Sequence, residues 1–299
     1  MAEEEKIDIP RQWEQLTLTQ LHGTLLVIGA PDMGKSTFAQ YLFQRLCAES
    51  DCVAYLDGDP GQSRLGPPTT MTMAVSVNGD QSFPPQGQRW RSFVGAVSPR
   101  GHMLPMLVSG SRLTQAAQGV GAETIVYDTT GLVDPAQGGT ALKLAKIDLL
   151  RPTVVFAIQR GQELEALLLP LRRSRRVRVV DLQPSPARQM RDRPTRQDYR
   201  ASKFAKYFAS ARSLVVDWRR LAVLPSPRFI LNRLVALEDA NGFTLGLGMV
   251  KQVDGKIRQV TLETPLSSLD KVDALRLGDL VLEPQTFRDQ WLGLRIKPK

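Results

Sequence analysis

The chain has 299 residues but only two cysteines and two histidines. Cys47 and Cys52 lie close together without a metal-ligand spacing, so they read as ordinary thiols of a reducing compartment rather than a disulfide framework. His22 and His102 are too few for a histidine-based metal site. No apolar run approaches the roughly 20 residues that span a bilayer, so no membrane-crossing helix is expected. There is no internal repeat, and no low-complexity tract beyond one arginine-rich region. The start, MAEEEK, is acidic, unlike a secretory signal or a transit peptide, and a cytoplasmic protein is expected.

What is present is ordinary for a globular chain, with 42% hydrophobic and 23% charged residues. The length suits one main domain with a smaller appendage. Net charge is +9, and its placement matters more than its size. Between Leu171 and Arg220 stand 15 Arg and Lys against 4 Asp and Glu, so this stretch holds the whole basic excess. Such concentration fits either a polyanionic partner, such as nucleic acid, or a solvated basic surface.

Strand and helix patterns alternate along the first two thirds. Gly23–Gly29 (GTLLVIG), Val53–Leu56, Thr124–Tyr127, Val154–Ile158 and Val177–Val180 read as short buried strands. Lys35–Cys47 carries Phe38, Leu42, Phe43 and Leu46 at helical spacing, and Ala141–Leu150 reads as a helix stopped by Pro152. Asp59–Thr70 is turn-rich, and Gln183–Pro194 reads as a loop. A helix is expected from Thr195, with Asp198 completing a capping box, to about Ala211. It would place Arg196, Arg200 and Lys203 on one face and Phe204, Tyr207 and Phe208 in an apolar stripe. After Pro225, β-rich runs separated by Ala240-Asn241-Gly242 and Asp254-Gly255 predict a small antiparallel domain. The expected division is an N-terminal segment 1–22, an α/β domain 23–222 with a parallel sheet flanked by helices, and a β-rich domain 223–299.

The chemistry begins at Gly29-Ala30-Pro31-Asp32-Met33-Gly34-Lys35-Ser36, which matches G-x-x-x-x-G-K-[ST] between a buried strand and an amphipathic helix. In a P-loop NTPase fold the backbone of Gly29–Thr37 cradles phosphates, Lys35 reaches the β- and γ-phosphates and Ser36 ligates magnesium. ATP and Mg2+ are therefore the expected cofactors. Such sites need a carboxylate at a neighbouring strand end. Two strands offer one: Asp57-Gly58-Asp59-Pro60-Gly61-Gln62, and Asp128-Thr129-Thr130-Gly131. At the first, one carboxylate can polarise an incoming hydroxyl while the other, with Ser36, helps hold the metal. The second also has the D-x-x-G form of GTP-binding switches, but the nearest guanine-reading segment, Ala145-Lys146-Ile147-Asp148, has alanine in place of asparagine and looks helical.

Taken in order, GAPDMGKST, DGDPGQS, DTTGLV and Arg196-Gln-Asp-Tyr-Arg200 followed by KFAKYF resemble the motifs of the polynucleotide 5′-hydroxyl kinase family across about residues 24 to 210. That family includes the RNA kinase of the pre-mRNA cleavage factor and the kinase of ribosomal-RNA spacer processing. The resemblance implies ATP-dependent phosphorylation of 5′-hydroxyl RNA or DNA ends. It implies Asp59 as general base, Gln62 near the reacting phosphate, and Thr129 and Gly131 in the phosphate-gripping "clasp". It also implies Arg196 and Arg200 as lid arginines serving catalysis with Lys35. Asp57, Gln62 and Arg160, the last just past the strand ending at Ile158, are the candidate substrate-side residues. The sequence departs from the family at Leu132, where the clasp has tryptophan. Trp13 is read either as a stacking partner for adenine or as a core anchor, and Val97–Ser109 either as lining the substrate side or as a loop and buried helix. A non-catalytic ATP-binding scaffold and a GTP-dependent switch are the alternative functions.

Overall fold

The computed structural model describes residues 9–185 and 192–293. The acidic start and residues 186–191 of the arginine-rich loop lie outside the described residues. The chain divides into two compact units, the first from Met1–Asp59, Thr72–Arg89 and Pro99–Arg191, the second from Pro60–Met71, Trp90–Ser98 and Asp192–Lys299.

In chain order the elements up to Leu182 are α1 (Arg11–Glu14), β1 (Gly23–Gly29), α2 (Lys35–Cys47), β2 (Val53–Gly58), β3 (Thr70–Val75), β4 (Arg89–Phe93), α3 (Met103–Gly119), β5 (Thr124–Thr129), α4 (Gly139–Leu150), β6 (Val154–Ile158), α5 (Glu165–Ser174) and β7 (Arg178–Leu182). In the first unit the strands run β3-β2-β5-β1-β6-β7. All pairs are parallel except β2 with β3. This is the parallel sheet that the alternating pattern predicts. Its central strands are buried at nearly every position, which is why they read as continuous apolar runs and not as alternating ones. The antiparallel β3 and helices α3 and α5 are additions to the elements expected from the sequence, although α5 buries Leu167, Leu168 and Leu171 at helical spacing. Of Val97–Ser109, the part from Met103 is the start of α3, with Leu104 exposed and Met106 buried.

Trp13 is fully buried, its ring 5.0 Å from Phe38 and 5.9 Å from Tyr41. No face of the indole is open to a base, so it is a core anchor that fixes α2 behind the loop. No helix among the described residues is long and apolar enough to cross a membrane.

The second unit holds α6 (Arg193–Phe208), β8 (Arg212–Asp217), β9 (Ala222–Leu224), β10 (Arg233–Glu238), β11 (Thr244–Asp254), β12 (Gln259–Thr264), β13 (Ala274–Leu282) and β14 (Asp289–Trp291). Its sheet runs β14-β13-β10-β11-β12-β8, with β9 on β13. Both faces are covered. Val235 and Leu237 pack with Val216, Val250 and Leu262 on one face. Leu234 and Ala236 pack with Phe93, Phe204, Phe208 and Met249 on the other. The Tyr207 hydroxyl accepts a 2.8 Å hydrogen bond from the Leu247 amide.

This arrangement differs from the expected boundary at 222/223. Helix α6 buries its Phe204 and Phe208 stripe within the second unit, and β8 pairs with β12. The helix also starts earlier than the capping-box reading. The Asp192 side chain accepts from the Thr195 amide at 2.9 Å, with proline in the first turn, and Asp198 instead pairs with Arg288 at 2.6 Å.

Candidate functional site

Strand β1 runs into the loop through Gly29, whose register partner is Ile158 of β6. A Cβ on Gly29 would stand 2.6 Å from the Ile158 carbonyl oxygen, so the strand can pass there only as glycine. Gly34 takes φ +83°, left-handed, and hands the chain to α2 at Lys35. The first backbone N–H groups of α2 therefore face back across the loop. Lys35 is 7% exposed, and its ammonium donates to the Ala30 carbonyl at 2.8 Å, across the loop it belongs to. Ser36 and Thr37 follow on the first turn of α2, half-buried, as are Asp32 and Met33, while Pro31 is exposed.

The acids sit at neighbouring strand ends. Asp57 of β2 and Asp128 of β5 are register partners, and each is 1% exposed. The Tyr55 hydroxyl donates to Asp128 Oδ2 at 3.3 Å. Asp59 follows β2 and is half-buried. The D-T-T-G segment continues β5, the strand beside β1, towards the loop. Gly131 lies so close to Pro31 that an added Cβ would be 2.9 Å from the proline N and Cα. The Thr129 hydroxyl donates to the Val27 carbonyl of β1 at 2.7 Å. Leu132 is half-buried on the same turn. Arg160 is exposed two residues past Ile158, in a turn whose amides at 160 and 161 donate to the Glu163 carboxylate.

Two residues that sequence reading passed over are central here. Lys143 and Lys146 stand one turn apart on α4 and are buried, at 0% and 1% exposure. They meet acceptors two residues apart on β5. Lys143 donates to Thr129 Oγ1 at 2.7 Å and to the Thr130 carbonyl at 2.6 Å, and Lys146 to the Tyr127 hydroxyl at 2.7 Å. The signal was available, since GTALKLAKIDLL places both lysines on one face of an otherwise apolar helix. The guanine-reading candidate Ala145–Asp148 lies within α4, with Lys146 buried and Asp148 paired with Arg176 at 3.6 Å.

Burial pushes the Lys143 ammonium well below its ordinary range, helped by Lys146 and Lys35 and opposed by Asp59 and Asp128. Burial also lowers Lys146 from 10.5 to about 7, against the same two acids. Burial first, then Asp128 and Asp57, raises the Tyr127 phenol. Lys35, Asp59, Asp128, Lys143 and Lys146 thus form one interacting set of charges in the first unit. The consequence for stability has a definite sign. Between pH about 7 and 10.5 the unfolded chain holds a proton on Lys146 that the folded chain lacks. Lys146 therefore makes stability rise with pH through that window, by up to about 1.4 kcal/mol per unit. Below it both states are protonated and the full cost of burying the charge remains. Urea unfolding at stepped pH is expected to show this rise and Lys146→Met to flatten it, whereas equal slopes for the two proteins would refute the assignment.

The donor set fits a magnesium-bound triphosphate: loop amides and Lys35 for phosphate oxygens, and the Ser36 hydroxyl with the strand-end carboxylates for a hard cation. Gln62 and the lid candidates belong to the second unit. The Gln62 side-chain amide donates to the Gly61 carbonyl at 2.7 Å. Arg200 pairs with Asp289 through two hydrogen bonds, of 2.8 and 3.2 Å, at side-chain exposures of 14% and 8%. Arg196, one turn earlier, is half-buried. Tyr199 and Lys203 donate to the carbonyls of Ser63 and Arg64, so the turn-rich segment after Asp59 leans on α6.

Comparison with known proteins gives a family and a fold. The family model described as mRNA cleavage and polyadenylation factor CLP1 P-loop matches residues 29–210. A polyribonucleotide 5′-hydroxyl-kinase of Pyrococcus furiosus is 24% identical over 332 residues, spanning 91% of this chain and 92% of its own. One of Pyrococcus abyssi is 23% identical over 311 residues, spanning 85% and 86%. The solved structure of wild-type Clp1p with Pcf11p superposes with a TM-score of 0.66 at 12% identity, over 91% of this chain and 77% of that one, a likeness of fold. The match of that family model over more than half of its length makes this chain a member of the CLP1 P-loop family.

Proposed function

We propose that the protein is an ATP-dependent polynucleotide 5′-hydroxyl kinase. The observation that carries this reading is the register pairing of buried Asp57 and Asp128 on strand β5 and its neighbour β2, with β5 directly beside the strand that enters the phosphate loop. Asp59 follows one of these ends and Gly131 closes on the loop from the other. The names of the full-length relatives support the substrate class, and the basic excess between Leu171 and Arg220 supports a polyanionic partner.

In this reading ATP lies on Gly29–Thr37, with Lys35 turned from the Ala30 carbonyl to the β- and γ-phosphates. Ser36 and Asp57 would hold magnesium, which when bound supplies charge neutralisation on the phosphate oxygens. Asp59 accepts the proton of the 5′-hydroxyl as its oxygen forms a bond to the γ-phosphorus. The bond from that phosphorus to the ADP oxygen breaks, and ADP leaves with the electron pair. Arg196 and Arg200 neutralise charge on the transferring group. Gln62 and Arg160 orient the nucleic-acid end, and the site works in the cytoplasm.

Incubation with γ-labelled ATP, magnesium and a 5′-hydroxyl oligonucleotide is expected to label the oligonucleotide. Tight ATP binding without transfer would sink the kinase reading. It would favour an ATP-binding scaffold, which needs the phosphate loop but not the lid arginines.

A further inference from the structure

Lys143 places an amine where α4 could have placed a leucine. Its neighbours on the helix, Leu142 and Ile147, are buried apolar residues. Taking an ammonium out of water costs several kcal/mol unless its hydrogen-bonding capacity is met. Here it is met by two consecutive residues. Lys143 Nζ lies 2.7 Å from Thr129 Oγ1, 2.6 Å from the Thr130 carbonyl and 3.5 Å from Thr130 Oγ1. An ammonium has three donors and no acceptor, so these contacts use it fully. A leucine would fill the space but would leave the turn after β5 unheld.

That turn is coupled to the loop at two points. Thr129, which accepts from Lys143, donates to the Val27 carbonyl of the strand leading into the loop. Gly131 packs on Pro31 at a separation that leaves no room for a Cβ. We infer that Lys143 is a positioning residue: through Thr129 and Thr130 it sets the D-T-T-G turn against the phosphate loop and so tunes the grip on the triphosphate. This rests on reading the site as an ATP site, and not on transfer to a polynucleotide. With the threonine hydroxyl engaged inside the fold, the turn grips through its placement rather than through the Thr129 side chain.

The test is titration of the full chain with ATP and magnesium by calorimetry, beside Lys143→Met, Lys143→Gln and Thr129→Val, each first checked by thermal unfolding without nucleotide. Loss of one hydrogen bond of ordinary strength corresponds to about 2- to 10-fold weaker binding. Lys143→Met and Thr129→Val are expected to fall in that range, with Lys143→Gln, which keeps N–H donors, in between. A Lys143→Met protein that folds and binds ATP like the parent overturns the inference. So does a loss of stability without a loss of affinity, which is all that a purely structural lysine would give. If Lys143→Met does not fold, unchanged affinity in either of the other two variants is the overturning result. A parent that binds ATP but transfers no phosphate sinks the kinase reading and leaves this one standing.

Discussion

Asp59→Asn is expected to lower label transfer to a 5′-hydroxyl oligonucleotide by about 10²- to 10⁴-fold, the usual contribution of a positioned general base, while ATP affinity stays close to that of the parent. Asparagine keeps the shape of aspartate but accepts no proton near neutral pH. The position suits the role. Asp59 is half-buried just beyond β2, past the point where Asp57 meets Asp128 in register, and its charge acts on Lys143 and Lys146. The division of labour follows from burial. Asp57 and Asp128 are almost inaccessible, whereas Asp59 is half-buried and has the exposure a hydroxyl substrate needs. Transfer rates within about threefold of the parent would show that another carboxylate takes the proton. Direct nucleotide titration of the same variant separates a lost base from a lost ATP site.

The second large effect separates the two lid candidates of α6, Arg196 and Arg200. Arg196→Ala is expected to cost about 10³-fold or more in transfer, the scale on which an arginine neutralises charge on a transferring phosphoryl group. Arg200→Ala is expected to cost both activity and about 3 kcal/mol of stability. Among the described residues Arg200 is the donor to the Asp289 carboxylate, and both are mostly buried. Removing the arginine alone strands a buried charge. Urea unfolding measures the second quantity, and Arg200→Ala combined with Asp289→Asn should recover much of it while leaving transfer low. A fully stable Arg200→Ala would mean that the pair contributes nothing. Full recovery of transfer in the double variant would mean that Arg200 acts through the fold and not on the phosphoryl group.

Much of the fold was legible because its signals are local. The run GTLLVIG, the loop residues and the apolar spacing of Phe38, Leu42, Phe43 and Leu46 each lie within a few turns of chain, and the structure has β1 and α2 at the residues expected. The D-G-D and D-T-T-G strand ends were likewise readable, since an acid closing an apolar run marks the end of a buried strand wherever that strand sits. Less legible were elements whose character is set by distant partners. β3 is buried at every position although its Thr70-Met71-Thr72-Met73 alternates, a burial that only its place in the sheet beside β2 decides, and α6 drew its apolar stripe from the sequence but its partner, the C-terminal sheet, from the tertiary structure.

By itself, then, the sequence determined the phosphate loop, the order of the motifs and the α/β class, because hydrophobic period and glycine placement act over short distances. Only the tertiary structure decided which charges act together. Asp57 faces Asp128 across a strand pair separated by 71 positions, Lys143 and Lys146 turn inward beneath the D-T-T-G turn, and Arg200 finds Asp289 far along the chain. These pairings depend on strand order and on burial, where an unmet charge costs several kcal/mol, and no local pattern of residues encodes that cost.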